Sequence, residues 1–167
     1  MAATVGIRAY RGGDRARVEA CIVALQEHER ALAPDRRRGR AIAARYLRQL
    51  RDRCRRGRGR LDVATVAGEV VGFVCFWRVR ETGNLVTRLT DYTYVSDLVV
   101  LPGWRGRGIG RALMRRADGF ARRHGTGTLR VNVLVRNTRA WRLYRRIGFA
   151  DHEMSLFKTL GRRARRG

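Results

Sequence analysis

The chain has 167 residues, and its 38 basic and 14 acidic side chains give a formal net charge of +24 at pH 7. This length predicts one domain that is large enough to bury its own core. No apolar run approaches the roughly 20 residues that a membrane-spanning helix requires. Residues 1–6 lack the basic and apolar regions of a signal peptide, so we expect neither a membrane span nor a secretion signal.

The basic residues are all arginine except Lys158. One interpretation is a surface that binds nucleic acid or another polyanion. The other is a compositional bias, because the arginines are spread along the chain rather than gathered in one recognition element. Non-specific, salt-sensitive binding to polyanions is expected in both cases.

The three cysteines, Cys21, Cys54 and Cys75, are odd in number and do not have the spacing of metal ligands. They therefore favour a reducing, cytoplasmic location over a disulfide framework. The chain has three histidines and no cluster of histidine with cysteine, so no metal site is expected.

The hydrophobic pattern predicts strands separated by four helices. The first helix follows Asp14, the second carries Ile42 to Cys54 on its inner face, the third begins at Ile109, and the fourth covers residues 138–147. The predicted strands cover residues 4–10, 61–67, 70–79, 90–101, 129–135 and 149–159, with a two-residue turn at Gly68-Glu69 between the second and third.

This order, β-α-α-β-β-β-α-β-α-β, predicts a single α/β domain over residues 1–160. Its central sheet is mixed and mostly antiparallel, with helices on both faces. The basic run at 161–167 is expected to be a disordered tail.

The strand at 90–101 leads into a glycine-rich basic turn, Pro102-Gly-Trp-Arg-Gly-Arg-Gly-Ile-Gly110, at the start of a helix. Its glycines leave backbone N–H groups open to a ligand, and the helix N-terminus adds partial positive charge. Together with the nearby arginines, these groups predict a phosphate or pyrophosphate ligand. The turn has no Gly-Lys-Ser/Thr, which excludes a nucleoside triphosphate loop, and its glycine spacing does not fit the dinucleotide fingerprint.

Two motifs lie in the last two fifths of the chain. The first is Arg105-x-x-Gly108-x-Gly110, and the second is Asn137-Thr-Arg-Ala-Trp-Arg-Leu-Tyr144-Arg-Arg-Ile-Gly-Phe149. They resemble the pyrophosphate loop and the Asn-x-x-Ala-x-x-x-Tyr-x-x-x-Gly-Phe signature of the GNAT superfamily of acetyl-CoA-dependent N-acetyltransferases. The resemblance implies the GNAT fold, in which two strands splay apart and the pantetheine arm of acetyl-CoA lies between them.

The resemblance also implies which residues hold acetyl-CoA: backbone groups of the strand, the basic turn, and the second motif. The implied cofactor-binding residues are Leu98, Val99, Val100, Leu101, Arg105, Gly106, Arg107, Gly108, Ile109, Gly110, Arg111, Asn137, Ala140 and Tyr144. Arg107 and Arg111 are also within reach of the 3′-phosphate in this interpretation.

Tyr144 is the predicted general acid, because a phenol stays protonated at pH 7 and can protonate the departing thiolate of coenzyme A. The alternative is a core tyrosine on an apolar helix face. The general base stays open, because the diamine acetyltransferases have Glu-Asp-Leu where this chain has Ser96-Asp97-Leu98. Ser96 cannot take a proton at neutral pH, so Asp97 is the second catalytic candidate, or else it orients the strand or the substrate.

The substrate-binding candidates are Glu27, Glu29, Ser96 and His152. The two glutamates lie at the end of the first helix, which borders the acceptor cleft in the family, and the alternative for both is a solvated helix end.

The main hypothesis is an N-acetyltransferase that transfers acetyl to a primary amine of a small molecule, such as a polyamine, an amino acid or an aminoglycoside, by direct attack in a ternary complex. The alternatives are acetylation of a protein N-terminus or lysine, and a non-catalytic basic module that binds coenzyme A or nucleic acid. Homodimers are common in the family, so a homodimer is also predicted.

Overall fold

The protein is described here by a computed structural model that covers residues 4–83 and 86–158. The predicted tail at 161–167 lies outside these ranges. Among the helices in the covered ranges, none has the length and apolarity needed to cross a membrane. The strands are β1 (Val5–Ala9), β2 (Arg60–Val66), β3 (Glu69–Arg80), β4 (Asp91–Val100) and β5 (Leu129–Val131), and the helices are α1 (Arg15–Leu32), α2 (Gly39–Arg56), α3 (Ile109–Arg123) and α4 (Thr138–Arg146).

The strands form one sheet in the order β1-β2-β3-β4-β5. The first four are antiparallel neighbours, and β5 pairs with β4 in parallel after the crossover through α3. The predicted α/β fold with a mixed, mostly antiparallel sheet is therefore confirmed.

The turn between β2 and β3 is Ala67-Gly68, one residue earlier than predicted. Both residues have positive φ, 49° at Ala67 and 83° at Gly68, as a two-residue hairpin turn with matching twist requires. Glu69 pairs with Val66 and so belongs to the ladder. The prediction placed Gly68 first because alanine rarely adopts a left-handed conformation.

Two apolar layers enclose the sheet, as the alternation along β3 predicts. On one face, Phe73, Cys75 and Trp77 pack with α1 and α2. On the other face, Val74 and Phe76 pack with α3 and α4. The ligand-binding turn and the second motif therefore share one face, and the first two helices cover the opposite face.

The predicted closing strand at 149–159 is wrong, since residues 150–158 have no regular secondary structure. Side-chain contacts hold the start of this segment instead of a backbone ladder. The Nε1 of Trp141 donates to Asp151 at 2.8 Å, and Arg130 donates to Glu153 at 2.7 Å. Acidic residues at these positions disfavour a strand, and β5 offers only three residues as a partner.

One buried ion pair fastens α3 to the sheet. Asp62 on β2 is fully buried, and its carboxylate accepts from Arg116 of α3 at 2.7 Å and from Arg60 at 3.0 Å. A carboxylate in the interior keeps its charge only when such partners replace water. These contacts fix the helix that begins at the glycine-rich turn.

We expect Asp62→Ala to lower the free energy of unfolding by about 1.5–3 kcal/mol, because it removes the hydrogen bonds that the buried carboxylate accepts from two charged side chains. Urea denaturation followed by circular dichroism measures the change. Asp52→Ala is the matched control, since Asp52 pairs with Arg55 at the surface of α2, and its loss should cost less than about 1 kcal/mol. Equal losses in the two variants would contradict the role of Asp62.

Candidate active site

Strands β4 and β5 pair over only three positions, 93–95 with Leu129–Val131. Strand β4 then continues to Val100, bonded to β3 but no longer to β5. The strands separate where β4 has a bulge: Cys75 pairs with Asp97 and Phe76 with Val95, which leaves Ser96 as an extra residue. This separation is the splay that the family resemblance implies.

A cavity of about 690 Å³ lies beside the separated part of β4, between the glycine-rich turn, α4 and the end of α1. Most of the predicted cofactor-binding residues line it. These are Leu98, Val99, Val100, Arg105, Gly106, Gly108, Ile109, Gly110, Arg111, Asn137, Ala140 and Tyr144. Two others do not: the Leu101 N–H donates to the Val71 carbonyl at 2.9 Å, and the Arg107 guanidinium lies over the Trp104 ring, 4.8 Å from its centroid.

The glycines of the turn are needed for its conformation and its spacing. Gly106 and Gly108 have φ of 80° and 76°, and Gly108 is the residue that precedes α3. A Cβ on Gly110 would lie 3.2 Å from Leu143 of α4. No side chain caps the first N–H groups of α3, and these groups are open toward the cavity. Uncapped N–H groups at a helix N-terminus commonly bind an anion.

Five arginines line this cavity, and no aspartate or glutamate is among its described lining residues. Burial and the neighbouring Arg139 lower the pKa of Arg105, whose Nε donates to the Val100 carbonyl at 2.8 Å. Two guanidinium groups held together without a carboxylate favour an anionic ligand. The five are Arg105, Arg111, Arg139, Arg142 and Arg146.

Sequence analysis did not identify the last three of these arginines as site residues. They lie on α4, where Arg142 and Arg146 follow Arg139 by three and seven residues. This spacing places them on one helix face and could have identified them from the sequence. Leu25 and His28 of α1, which were not predicted as site residues, also line the cavity.

Tyr144 lies on α4 with 8% of its surface exposed. It packs in the core beside Phe149, with ring centroids 5.4 Å apart, and it also lines the cavity. Burial raises its pKa, and the negative charges of Asp97 and Glu29 raise it further. The phenol therefore keeps its proton at neutral pH.

Asn137 ends the crossing from β5 and begins α4. Its side-chain oxygen accepts from the Ala140 N–H at 3.2 Å, as an N-cap does. The cap fixes the start of the helix that carries Tyr144, while Asn137 also lines the cavity.

Asp97 lies at the bulge, 5% exposed, and faces the layer of α1 and α2. The hydroxyl of Tyr46 on α2 donates to its carboxylate, 3.1 Å and 3.2 Å from the two oxygens. Burial raises the pKa of Asp97 to about 6, hydrogen bonds from Ser96 and Tyr46 oppose the rise, and the charge of Glu29 adds to it. A carboxylate with this pKa can take up a proton near neutral pH.

The four substrate-binding candidates do not all reach this region. Glu27 accepts from the Gly39 N–H at 2.7 Å, so it supports the start of α2, and His152 is exposed on the segment after α4. Glu29 is half-buried, 3.7 Å from Arg36, and its charge raises the pKa of Asp97 and Tyr144. Ser96 is half-buried at the bulge, where its hydroxyl donates to the Cys75 carbonyl at 3.3 Å.

Comparison with known proteins matches residues 30–149 to the Acetyltransferase (GNAT) family. A streptothricin acetyltransferase of Streptomyces lavendulae is 52% identical over 56 residues, which are 34% of this chain and 30% of that protein. A GCN5-like protein acetyltransferase of Mycobacterium tuberculosis is 41% identical over 70 residues, 38% of this chain and 31% of that protein. The matched segments thus span about a third of these curated relatives.

Among solved structures, an aminoglycoside N-acetyltransferase in complex with CoA has a TM-score of 0.70 and 15% identity, over 96% of this chain and 97% of that one. This similarity concerns the fold. The family match covers most of the chain, including both motifs and most of the residues that line the cavity, and so the chain belongs to the acetyltransferase (GNAT) family.

Proposed function

We propose that this protein transfers the acetyl group of acetyl-CoA to a primary amine of a small molecule, by direct attack within a ternary complex. Acetyl-CoA is the cosubstrate of the family. The observation that carries the proposal is the cavity at the separation of β4 and β5. The five lining arginines and the N-terminus of α3 form one part of this cavity, where an anion can bind, and the phenol of Tyr144 lines another part. Asp97 lies next to the cavity on β4.

The residues present fit acetyl-CoA. The N-terminus of α3 and the cavity arginines suit the pyrophosphate, and the missing side chain of Gly110 keeps space beside Leu143. The edge of β4 after Val95, which no longer pairs with β5, offers backbone groups to the pantetheine amides. Acetyl-CoA would supply the reactive thioester at this edge.

Two different side chains at the separation of β4 and β5 carry out the proton transfers of the proposed reaction. Asp97 accepts a proton from the acceptor ammonium, through a water because the carboxylate is enclosed, and so frees the amine to attack. Backbone N–H groups of β4 stabilise the negative charge that develops on the carbonyl oxygen. Tyr144 gives its phenol proton to the departing sulfur as the carbon–sulfur bond breaks, and the second proton lost by the attacking nitrogen restores the phenol. No cysteine lies among the described lining residues, which supports transfer without a covalent enzyme intermediate.

The proposed acceptor is an amine-rich small molecule of the streptothricin or aminoglycoside type. The similarity to a streptothricin acetyltransferase supports this class, and Asp97 and Glu29 provide negative charge near Tyr144 for a cationic acceptor. Protein acetylation is the second candidate, because another relative is a GCN5-like protein acetyltransferase.

The proposal is tested by following release of free thiol from acetyl-CoA with streptothricin, aminoglycosides, polyamines and amino acids as acceptors. We expect one of these amines to stimulate release and Tyr144→Phe to reduce it by about 10²–10⁴-fold, as loss of a general acid does. Tyr10→Phe is the control, since Tyr10 packs in the opposite layer. Thiol release that needs a peptide acceptor would favour the second candidate, and full activity of Tyr144→Phe would exclude Tyr144 as the acid.

The arginine-lined part of the cavity, where we place the pyrophosphate of acetyl-CoA, gives a separate prediction. Arg139→Ala should raise the dissociation constant of coenzyme A roughly tenfold, because it removes a charge-assisted hydrogen bond to phosphate. Arg145→Ala is the matched control on the same helix, since Arg145 lies over the Trp141 ring and does not line the cavity. Isothermal titration calorimetry measures both variants. Equal effects of the two would mean that α4 contributes only general positive charge.

A further inference from the structure

The proposed mechanism uses Asp97, but nothing in it uses Tyr46, the tyrosine of α2 that contacts Asp97. We infer that Tyr46 is a positioning residue, which holds the Asp97 carboxylate in place and keeps it ionised for its role as base. The consequence for catalysis rests on the proposed function, whereas the effect on Asp97 itself does not.

The geometry of the contact is that of one hydroxyl shared by two carboxylate oxygens. The Tyr46 oxygen lies 3.1 Å from Oδ1 and 3.2 Å from Oδ2 of Asp97. The Tyr46 ring packs against the apolar cluster that includes Leu47 and Leu50 of the same helix, so the hydroxyl has a fixed direction. Burial and the charge of Asp97 raise the pKa of Tyr46 strongly, so the hydroxyl keeps its proton and stays a donor at neutral pH.

No cation pairs with Asp97 among the described residues, although the chain is rich in arginine. The groups that interact with its charge are Glu29 from α1, Tyr46 from α2, Cys75 from β3, Tyr94 and Ser96 from β4, and Tyr144 from α4. Of these, only the hydroxyls of Ser96 and Tyr46 lower the pKa of Asp97, whereas burial and Glu29 raise it. The Ser96 hydroxyl donates to the Cys75 carbonyl at 3.3 Å, so removing Tyr46 would take away the hydroxyl that contacts both carboxylate oxygens of Asp97.

The sign of the effect follows from this balance. The Tyr46 hydroxyl bonds the ionised form of Asp97, so its loss makes the carboxylate harder to ionise and moves its titration to higher pH. A base must be deprotonated to act, so the acidic limb of the rate profile moves upward with it. A hydrogen bond to a buried charged group supports a shift of about one pH unit, a tenfold change in the ionisation equilibrium.

The experiment compares wild type, Tyr46→Phe, and the control Tyr10→Phe, in which Tyr10 belongs to the same apolar layer and has Arg51 over its ring at 5.5 Å. Two measurements are made: titration of the Asp97 carboxyl carbon by NMR, and the pH profile of kcat/KM with the best acceptor. We expect an NMR midpoint about 6 in wild type and Tyr10→Phe, and about one unit higher in Tyr46→Phe. The acidic limb of kcat/KM should shift equally.

Asp97→Asn supplies the second half of the test. Adding Tyr46→Phe to Asp97→Asn should cause no further loss of kcat/KM, because the two residues act through one carboxylate. An unchanged Asp97 midpoint in Tyr46→Phe would overturn the inference, as would a full additional loss in the double variant. If wild type acetylates no amine while the NMR midpoint still shifts in Tyr46→Phe, the proposed function fails and the contact between Tyr46 and Asp97 stands.

Discussion

The active-site architecture depends on one constraint, the early end of pairing between β4 and β5. Strand β4 keeps its bonds to β3, so the bulge at Ser96 turns it without breaking the sheet. Beyond Val95 the edge of β4 is free, and its backbone groups need partners. A sheet edge that is open in the middle of a domain becomes a binding site, with apolar walls already provided by the two layers.

Where β4 and β5 separate, side chains from both faces of the sheet come close to one another. The α3–α4 face carries the positive charge, with five cavity arginines and the N-terminus of α3. The α1–α2 face carries the negative charge near Tyr144, from Asp97 and Glu29. An anionic cosubstrate and a cationic acceptor can thus approach from opposite faces. A net charge of +24 is therefore compatible with the cationic acceptor that we propose.

Local features of the sequence predicted much of this structure, because hydrophobic period, glycines and helix caps act over a few residues. The strand that leads to the turn and the start of α3 at Ile109 are of this kind. Contacts between distant elements were not predictable: Tyr46 lies 51 residues from Asp97, and a bulge depends on the partner strand. The closing strand was predicted because its residues alternate suitably, but it does not form because β5 has only three residues with which it could pair. The homodimer, the cytoplasmic location and the polyanion binding stay predictions.

Amide hydrogen exchange with and without acetyl-CoA tests the central claim most directly, namely that the cosubstrate binds in the separation between β4 and β5. The account predicts slower exchange at residues 98–101 and 105–110, and unchanged exchange in the β1–β2 pair on the far side of the sheet. Unchanged exchange at both 98–101 and 105–110 would contradict the account. Slower exchange spread equally across the arginine-rich surface would also contradict it.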